Sequence, residues 1–237
     1  MAKFTVFVSG VAEVVDETHD TKTLKFHRPQ GLDFKPGQFL TMQFIGKDGL
    51  PEKKIRSFTI ASSPEDEMID ITVKREGEMS NRMCDAEIGA KFRFSGPFGA
   101  FFLIEDDAKH HAMICGGSGV TPFRSFMRHV NQKKLGHKMT LFYSNKTPVD
   151  IIYREELEKL SAENPNIRNV LTITREEGHK WDSLTGRINK QVLLQYIPDI
   201  QNTIFYTCGP KGLINTVLDI LKELGVKPEN IKTERWN

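Results

Sequence analysis

Apolar and polar residues alternate with period two over the first hundred positions. In FTVFVSG, Phe4, Val6 and Val8 alternate with Thr5 and Phe7; in MIDITVKR, Ile69, Ile71 and Val73 oppose Asp70, Thr72 and Lys74; KFRFSG repeats the pattern with Phe92 and Phe94. Residues two apart share a strand face, so these runs predict strands. Turn signals separate them: Pro29 to Gly31, Pro36-Gly37, Lys47 to Pro51, Ser62 to Pro64, Glu76-Gly77 and Gly96-Pro97. Short strands punctuated in this way predict an antiparallel barrel or sandwich. Past about residue 107 the pattern changes. HAMIC, MTLFYS, NVLTIT and TIFYTC are continuous apolar, β-branched or aromatic runs, the mark of strands buried on both faces of a parallel sheet. Between them, Val120, Phe123, Met127 and Val130, and likewise Leu213, Val217, Leu221 and Leu224, fall at helical spacing. The expected architecture is an antiparallel β-barrel domain over 1–106, followed by an α/β domain with a parallel, Rossmann-like sheet over 107–237.

Composition narrows the function classes. The 33 basic and 31 acidic residues leave a net charge of +2 with no long run of one sign, which argues against a nucleic-acid or anionic-membrane partner. Cys84, Cys115 and Cys208 lie far apart with no CxxC spacing, so neither an iron–sulfur cluster, a zinc site nor a disulfide framework is expected, and no metal is assigned. MAKFTVFVSG reads as a strand rather than a signal peptide, and no run of eighteen apolar residues is present; a cytoplasmic protein is the expectation.

Three stretches carry chemistry. IRSFTIASSPEDE (55–67) sets an arginine, a hydroxyl and an aromatic side by side on a strand, then three acids in four residues. MICGGSGVTPFRSFM (113–127) runs from a buried strand through Gly116, Gly117 and Gly119 into an amphipathic helix. Free N–H groups at a helix start attract anions, and glycine lets a phosphate approach the backbone. The spacing is neither GxGxxG nor the P-loop, and such a turn serves either as a phosphate cradle or as a tight connection. FYTCGPKGLINTVLDIL (205–221) repeats the strand–turn–helix order, with Cys208 at the ligand-bearing edge of the sheet or simply a small buried residue.

Together these motifs resemble the ferredoxin–NADP reductase superfamily across essentially the whole chain. The markers occur in family order: FKPGQF (34–39), RSFT (56–59), REGEMSNRM (75–83), GPFG (96–99), CGGSGVTP (115–122), CGPKGLI (208–214) and ERW (234–236). The resemblance implies FAD, rather than FMN, on the barrel. Within Arg56, Ser57, Phe58 and Thr59, the guanidinium would grip a phosphate, the ring would lie beside the flavin and the Thr59 hydroxyl would approach flavin N5. Phe58 replaces the family's tyrosine, so one hydroxyl contact is lost. Gly77, Met79 and Ser80 would donate N–H groups to the flavin pyrophosphate, Ser80 at the start of a short helix, where it also suits a cap.

The same resemblance places the nucleotide pyrophosphate on Gly116, Gly117, Gly119, Val120 and Thr121, and the nicotinamide against Cys208, Gly209 and Pro210. Glu234 matches an acid near the flavin's reactive edge. Trp236 matches a terminal aromatic that stacks on the flavin in some relatives, or else plugs an interface. Thr59, Cys208 and Glu234 are the implied catalytic set. Thr174 and Arg175, with no preceding acid, incline the choice between NADPH and NADH toward NADPH. The implied activity is NAD(P)H-dependent reduction of FAD, then electron transfer to a small redox protein such as ferredoxin, flavodoxin or an oxygenase component. The alternatives are a free-flavin reductase or an electron-transfer subunit of a larger complex. His110 and His111 read as a neutral surface pair.

Overall fold

The computed structural model describes residues 4–106 and 109–235. They pack as two compact units: residues up to Leu103 together with Arg124–His129, and Ile104–Phe123 together with the chain from Val130 onward. The expected boundary after residue 106 abuts positions 107 and 108, outside the described residues.

The first unit is built on an antiparallel sheet of β1 (Thr5–Thr18), β2 (Thr21–His27), β3 (Phe39–Phe44), β4 (Arg56–Thr59), β5 (Met68–Lys74) and β6 (Lys91–Phe98). Helix α1 (Glu78–Cys84) joins β5 to β6. The strand order is β4-β3-β6-β1-β2-β5, and an Ile60–Ile71 bridge links the two ends, so the sheet nearly closes into a barrel. Its interior is aromatic. Phe26 meets Phe92 and Phe94 edge-on at 5.6 and 4.9 Å, and Phe7 stacks on Phe94 at 4.8 Å. Each such ring pair adds roughly 0.5–1.5 kcal/mol beyond its area burial.

The first run faces the opposite way from its hydropathy. Phe4, Val6 and Val8 are exposed, and Phe7 turns inward to stack on Phe94. One large ring fills the barrel where the smaller valines would leave it underpacked. Strand β5 departs from simple alternation as well. Asp70 and Thr72 are buried along with Ile69, Ile71 and Val73, because Thr72 bonds Thr23 at 2.7 Å and Asp70 pairs with Arg124.

The second unit carries β7 (His110–Gly116), β8 (Lys138–Asn145), β9 (Ile167–Ile173), β10 (Leu184–Thr185), β11 (Thr203–Gly209) and β12 (Ile231–Arg235). All pairs are parallel, in the order β10-β9-β8-β7-β11-β12. The helices are α2 (Thr121–Lys133), whose Arg124–His129 segment belongs to the first unit, α3 (Arg154–Glu163), α4 (Lys190–Tyr196) and α5 (Lys211–Glu223). The continuous apolar runs are buried as their pattern predicts: Ile114, Phe142 and Phe205 pack with Val217 and Leu221 of α5 in one core. The chain leaves β7 toward β8 on one side and later returns to β11 on the other, so the order reverses at the carboxyl ends of β7 and β11. Open α/β sheets bind ligands at such a reversal.

The histidine pair is not on the surface. His111 is fully buried in β7, where Nε2 meets the Asp106 carbonyl at 2.9 Å and the ring stacks on His137. His110 is partly buried and reaches the Thr140 hydroxyl at 2.9 Å. Burial pushes the His111 pKa down to about 4, and it lowers that of His110, so both rings are neutral at pH 7. Among the described residues, no helix is long and apolar enough to cross a membrane.

Candidate flavin and nucleotide sites

In the second unit, β7 ends at Gly116 and a single 3-10 turn, Gly117–Val120, leads into α2. Beside it, β11 ends at Cys208 and Gly209, and Pro210 caps α5. The two turns touch backbone to backbone. A Cβ on Gly119 would lie 2.4 Å from the Cys208 carbonyl oxygen, and one on Gly209, at φ +137°, would lie 3.1 Å from Gly116 N and O. Any side chain at position 119 would push the turns apart. Tyr143 buttresses this arrangement from β8: its hydroxyl donates to the Gly117 carbonyl at 3.0 Å and accepts from the Ile152 N–H at 3.3 Å. Burial holds its phenol well above the ordinary value, so the donor proton stays in place.

The side chains of two expected phosphate contacts are engaged within the protein. Val120 is fully buried, and the Thr121 hydroxyl donates to the Ser118 carbonyl at 3.0 Å. Thr121 therefore braces the turn, and this region presents an anion with main-chain N–H groups at the start of α2. On the neighbouring strand end, Thr174 N–H and hydroxyl both donate to the Asn145 carbonyl, at 2.9 and 3.2 Å, and Arg175 N–H donates to the Lys146 carbonyl at 2.8 Å. Their main chain is anchored while both residues are exposed.

Cys208 and Glu234 are register partners on β11 and β12, so two of the three implied catalytic residues lie side by side. Cys208 is fully buried; Glu234 is half-buried, and desolvation raises its pKa. Cys115 is the register partner of Cys208 on the other side, and burial pushes its thiol well above the ordinary value. Trp236 lies outside the described residues.

In the first unit, the four-residue β4 pairs along its length with β3 alone: Arg56 with Met42, Ser57 with Thr41, Phe58 with Leu40 and Thr59 with Phe39. Arg56 is exposed and donates to its neighbour's carbonyl, that of Ile55, at 2.8 Å. Ser57 is exposed too. Phe58 is half-buried against the barrel core, because its partner Leu40 faces inward there. Thr59 is 7% exposed, and its hydroxyl makes no hydrogen bond to the described residues.

The short helix expected to begin at Ser80 starts two residues earlier. Helix α1 begins at Glu78, with Gly77 as its cap. The Ser80 hydroxyl accepts from the N–H groups of Gly77 (2.9 Å) and Glu76 (3.1 Å) and donates to the Gly77 carbonyl. Met79 is buried in the barrel core. Met79 and Ser80 can therefore offer a ligand main-chain N–H groups rather than side chains, whereas the Gly77 N–H, expected as a donor, is already spent on the Ser80 hydroxyl.

Pattern reading missed a polar stripe on α2. Arg124, Ser125, Arg128 and His129 meet Asp70, Ser62, Asp66 and Glu65 respectively. This answers what most of the acids after RSFT are for. Burial pushes Glu65 up, but hydrogen bonds from Ser63 and His129 outweigh it and hold its pKa below the ordinary value. The signal available in the sequence was bases at helical spacing opposite an acid run; nothing local says that the two meet.

Comparison with known proteins follows the same division. The oxidoreductase FAD-binding domain family matches residues 10–103, and the oxidoreductase NAD-binding domain family matches residues 113–219. The glycine betaine monooxygenase reductase subunit of Chromohalobacter salexigens is 34% identical over 221 residues, which is 90% of this chain and 59% of that protein. The ferredoxin reductase component of 3-ketosteroid-9-alpha-monooxygenase from Mycobacterium tuberculosis is 29% identical over 242 residues, 94% of this chain and 63% of its own length. The chain thus spans less than two thirds of these relatives. In fold, it superimposes on the flavohem-like FAD/NAD binding domain of nitric oxide dioxygenase from Vibrio cholerae with a TM-score of 0.86, at 22% identity, covering 97% of this chain and 98% of that one. A ferredoxin NADP+ reductase from Neisseria gonorrhoeae with bound FAD and NADP gives 0.79, also at 22% identity, with 99% of both chains covered. The fold and the domain matches define a two-domain oxidoreductase whose cofactors are FAD and NAD(P)H. The chain belongs to the ferredoxin–NADP reductase superfamily.

Proposed function

We propose that this chain is an NAD(P)H-dependent reductase that passes electrons through FAD to a small soluble redox protein in the cytoplasm: ferredoxin, flavodoxin or an oxygenase component. FAD, when bound, accepts two electrons together and releases them singly. The chain's own residues bind and orient. Arg56 offers a fork of donors to a phosphate, the half-buried Phe58 gives the flavin an apolar edge, and the Thr59 hydroxyl is left to donate to a ring nitrogen. Gly117 leaves the nucleotide phosphates a bare, partly exposed backbone, and buried Gly116 and Gly119 let the two turns close behind it. Cys208, Gly209 and Pro210 line the nicotinamide end, and half-buried Glu234 holds its proton to higher pH than an exposed glutamate.

The observation that carries the reading is the backbone contact of the two glycine turns at the sheet's reversal point, closed to any side chain at Gly119. Relatives described as reductase components of oxygenases support the acceptor class. Exposed Arg175, with Asn145 and Lys146 rather than an acid at the adjacent strand end, supports NADPH over NADH.

The test begins with the absorption spectrum of the purified protein, followed by titration with NADPH and NADH. A flavin spectrum bleached by nucleotide is expected; a colourless protein that takes up no FAD refutes the reading. Arg175→Ala is expected to lower the NADPH/NADH ratio of kcat/KM about tenfold, as loss of a charge-assisted bond of ~1.5 kcal/mol would. An unchanged ratio removes the NADPH assignment. The free-flavin reductase alternative rests on the missing hydroxyl at Phe58, and one tightly held FAD per purified chain rules it out.

A further inference from the structure

We infer that Arg124 is a positioning residue for the flavin-facing strand: from α2 it holds the backbone that follows Thr59, and so sets where the Thr59 hydroxyl points. This rests on the proposed flavin site. Strand β4 is only four residues long, and beyond β3 its continuation is tied to the rest of the sheet by the Ile60–Ile71 bridge and the Ala61 N–H to Asp70 carbonyl bond. Yet Ile60, Ala61, Ser62 and Ser63 are all completely buried. Buried carbonyls need donors, and here side chains of α2 supply them. Arg124 Nη1 donates to the Ala61 carbonyl at 3.0 Å, and the Ser125 hydroxyl donates to the Ser62 carbonyl at 2.6 Å.

The same Nη1 donates to Asp70 Oδ2 at 2.8 Å, with both side chains only 8% exposed. The Asp70 N–H in turn donates to the Ser62 hydroxyl at 3.1 Å. Arg124, Ala61, Ser62 and Asp70 therefore form one closed polar network two residues beyond Thr59. Around it, Arg128 holds Asp66 through two nitrogens, at 2.9 and 2.6 Å, and His129 meets Glu65 at 2.8 Å. These outer pairs are more exposed and tether the loop; the Arg124 network fixes the strand end itself. An ion pair this deeply buried is weak evidence of added stability, since desolvating both charges offsets their attraction. Its geometric consequence is direct: with Arg124 gone, the buried Ala61 carbonyl and the Asp70 carboxylate lose this donor and must shift or take in water, and Thr59 moves with them.

The experiment compares wild type with Arg124→Gln, Arg124→Lys and Ser125→Ala, each loaded with FAD and assayed with NADPH and ferricyanide. Arg124→Gln is expected to lower kcat about 10- to 100-fold, as misplacement by up to about an ångström does. The KM for NADPH should stay within about twofold, and the visible flavin band should shift. Arg124→Lys, which keeps a charge for Asp70, should recover most of the loss. Ser125→Ala should show the same kcat-only effect at a few-fold. A folded Arg124→Gln with wild-type kcat and flavin spectrum overturns the inference, as does an effect confined to KM. If Arg124→Gln fails to fold, wild-type behaviour of both Arg124→Lys and Ser125→Ala overturns it instead. A colourless wild type would refute the flavin reading itself, whereas a yellow wild type with indifferent variants refutes this inference alone.

Discussion

The candidate ligand sites of the two units are built by opposite means. In the barrel unit the candidate groups are side chains, Arg56, Phe58 and Thr59, carried on a short end strand. In the parallel-sheet unit they are main-chain groups of the glycine turn, where Gly117 is partly exposed and Gly116 and Gly119 are buried, Gly119 with no room for a side chain against Cys208. A side-chain site can be retuned one residue at a time. A backbone site depends on packing behind it, here the Cys208 carbonyl and the Tyr143 hydroxyl.

That contrast predicts unequal responses to substitution. Gly119→Ala should be the most damaging single change. Its Cβ would meet the Cys208 carbonyl oxygen at 2.4 Å, so the turns must separate, and NADPH-dependent reduction should fall by at least about 100-fold. FAD content should be unchanged, because the change lies in the other unit. Parallel loss of FAD from the purified variant would break the division between a flavin unit and a nucleotide unit.

Acid should separate the units next. In the second unit, the His111 pKa is about 4 when folded against an ordinary 6.5, so the unfolded chain takes up the proton first. Its contribution is complete above pH 6.5 and is lost as the pH falls toward 4, about 3 kcal/mol in all. In the first unit, Glu65 is held below its ordinary 4.5, so its contribution is present above that value and disappears only as the pH falls further. Urea unfolding at pH 7.5 and 5 should show a loss that His111→Gln greatly reduces, the lowered pKa of His110 leaving a remainder. An equal loss in the variant would count against His111 as the source.

Arg56→Ala is the smaller test of the side-chain site. Losing charge-assisted bonds to a phosphate, worth roughly 1.5–3 kcal/mol, should weaken FAD retention about 10- to 100-fold by equilibrium dialysis. NADPH affinity should not change. FAD binding equal to wild type would mean that the phosphate grip lies elsewhere.

Legibility in the sequence followed the range of the interactions. The strands of the second unit, the apolar stripes of α2 and α5 and the glycine turn were readable, because each depends on residues within one element. Their burial follows: Val120, Phe123, Met127 and Val130 are all fully enclosed. The outward face of Phe4, Val6 and Val8 was not readable, because alternation states that two faces differ and not which one the barrel encloses. The enclosure of His111 and the closeness of Gly119 to Cys208 both depend on neighbours carried by other strands, far along the chain.

By itself, then, the chain determined its elements and the chemistry it could carry, since periodicity and glycine spacing act locally. Which of those groups are spent inside the protein was left to the tertiary structure. The Thr121 and Ser80 hydroxyls went to carbonyls and N–H groups of their own turns, and Glu65 and Asp66 after RSFT went to a helix some sixty residues later. The reason is that a polar group removed from water must find a partner, and only the folded chain brings distant partners within reach.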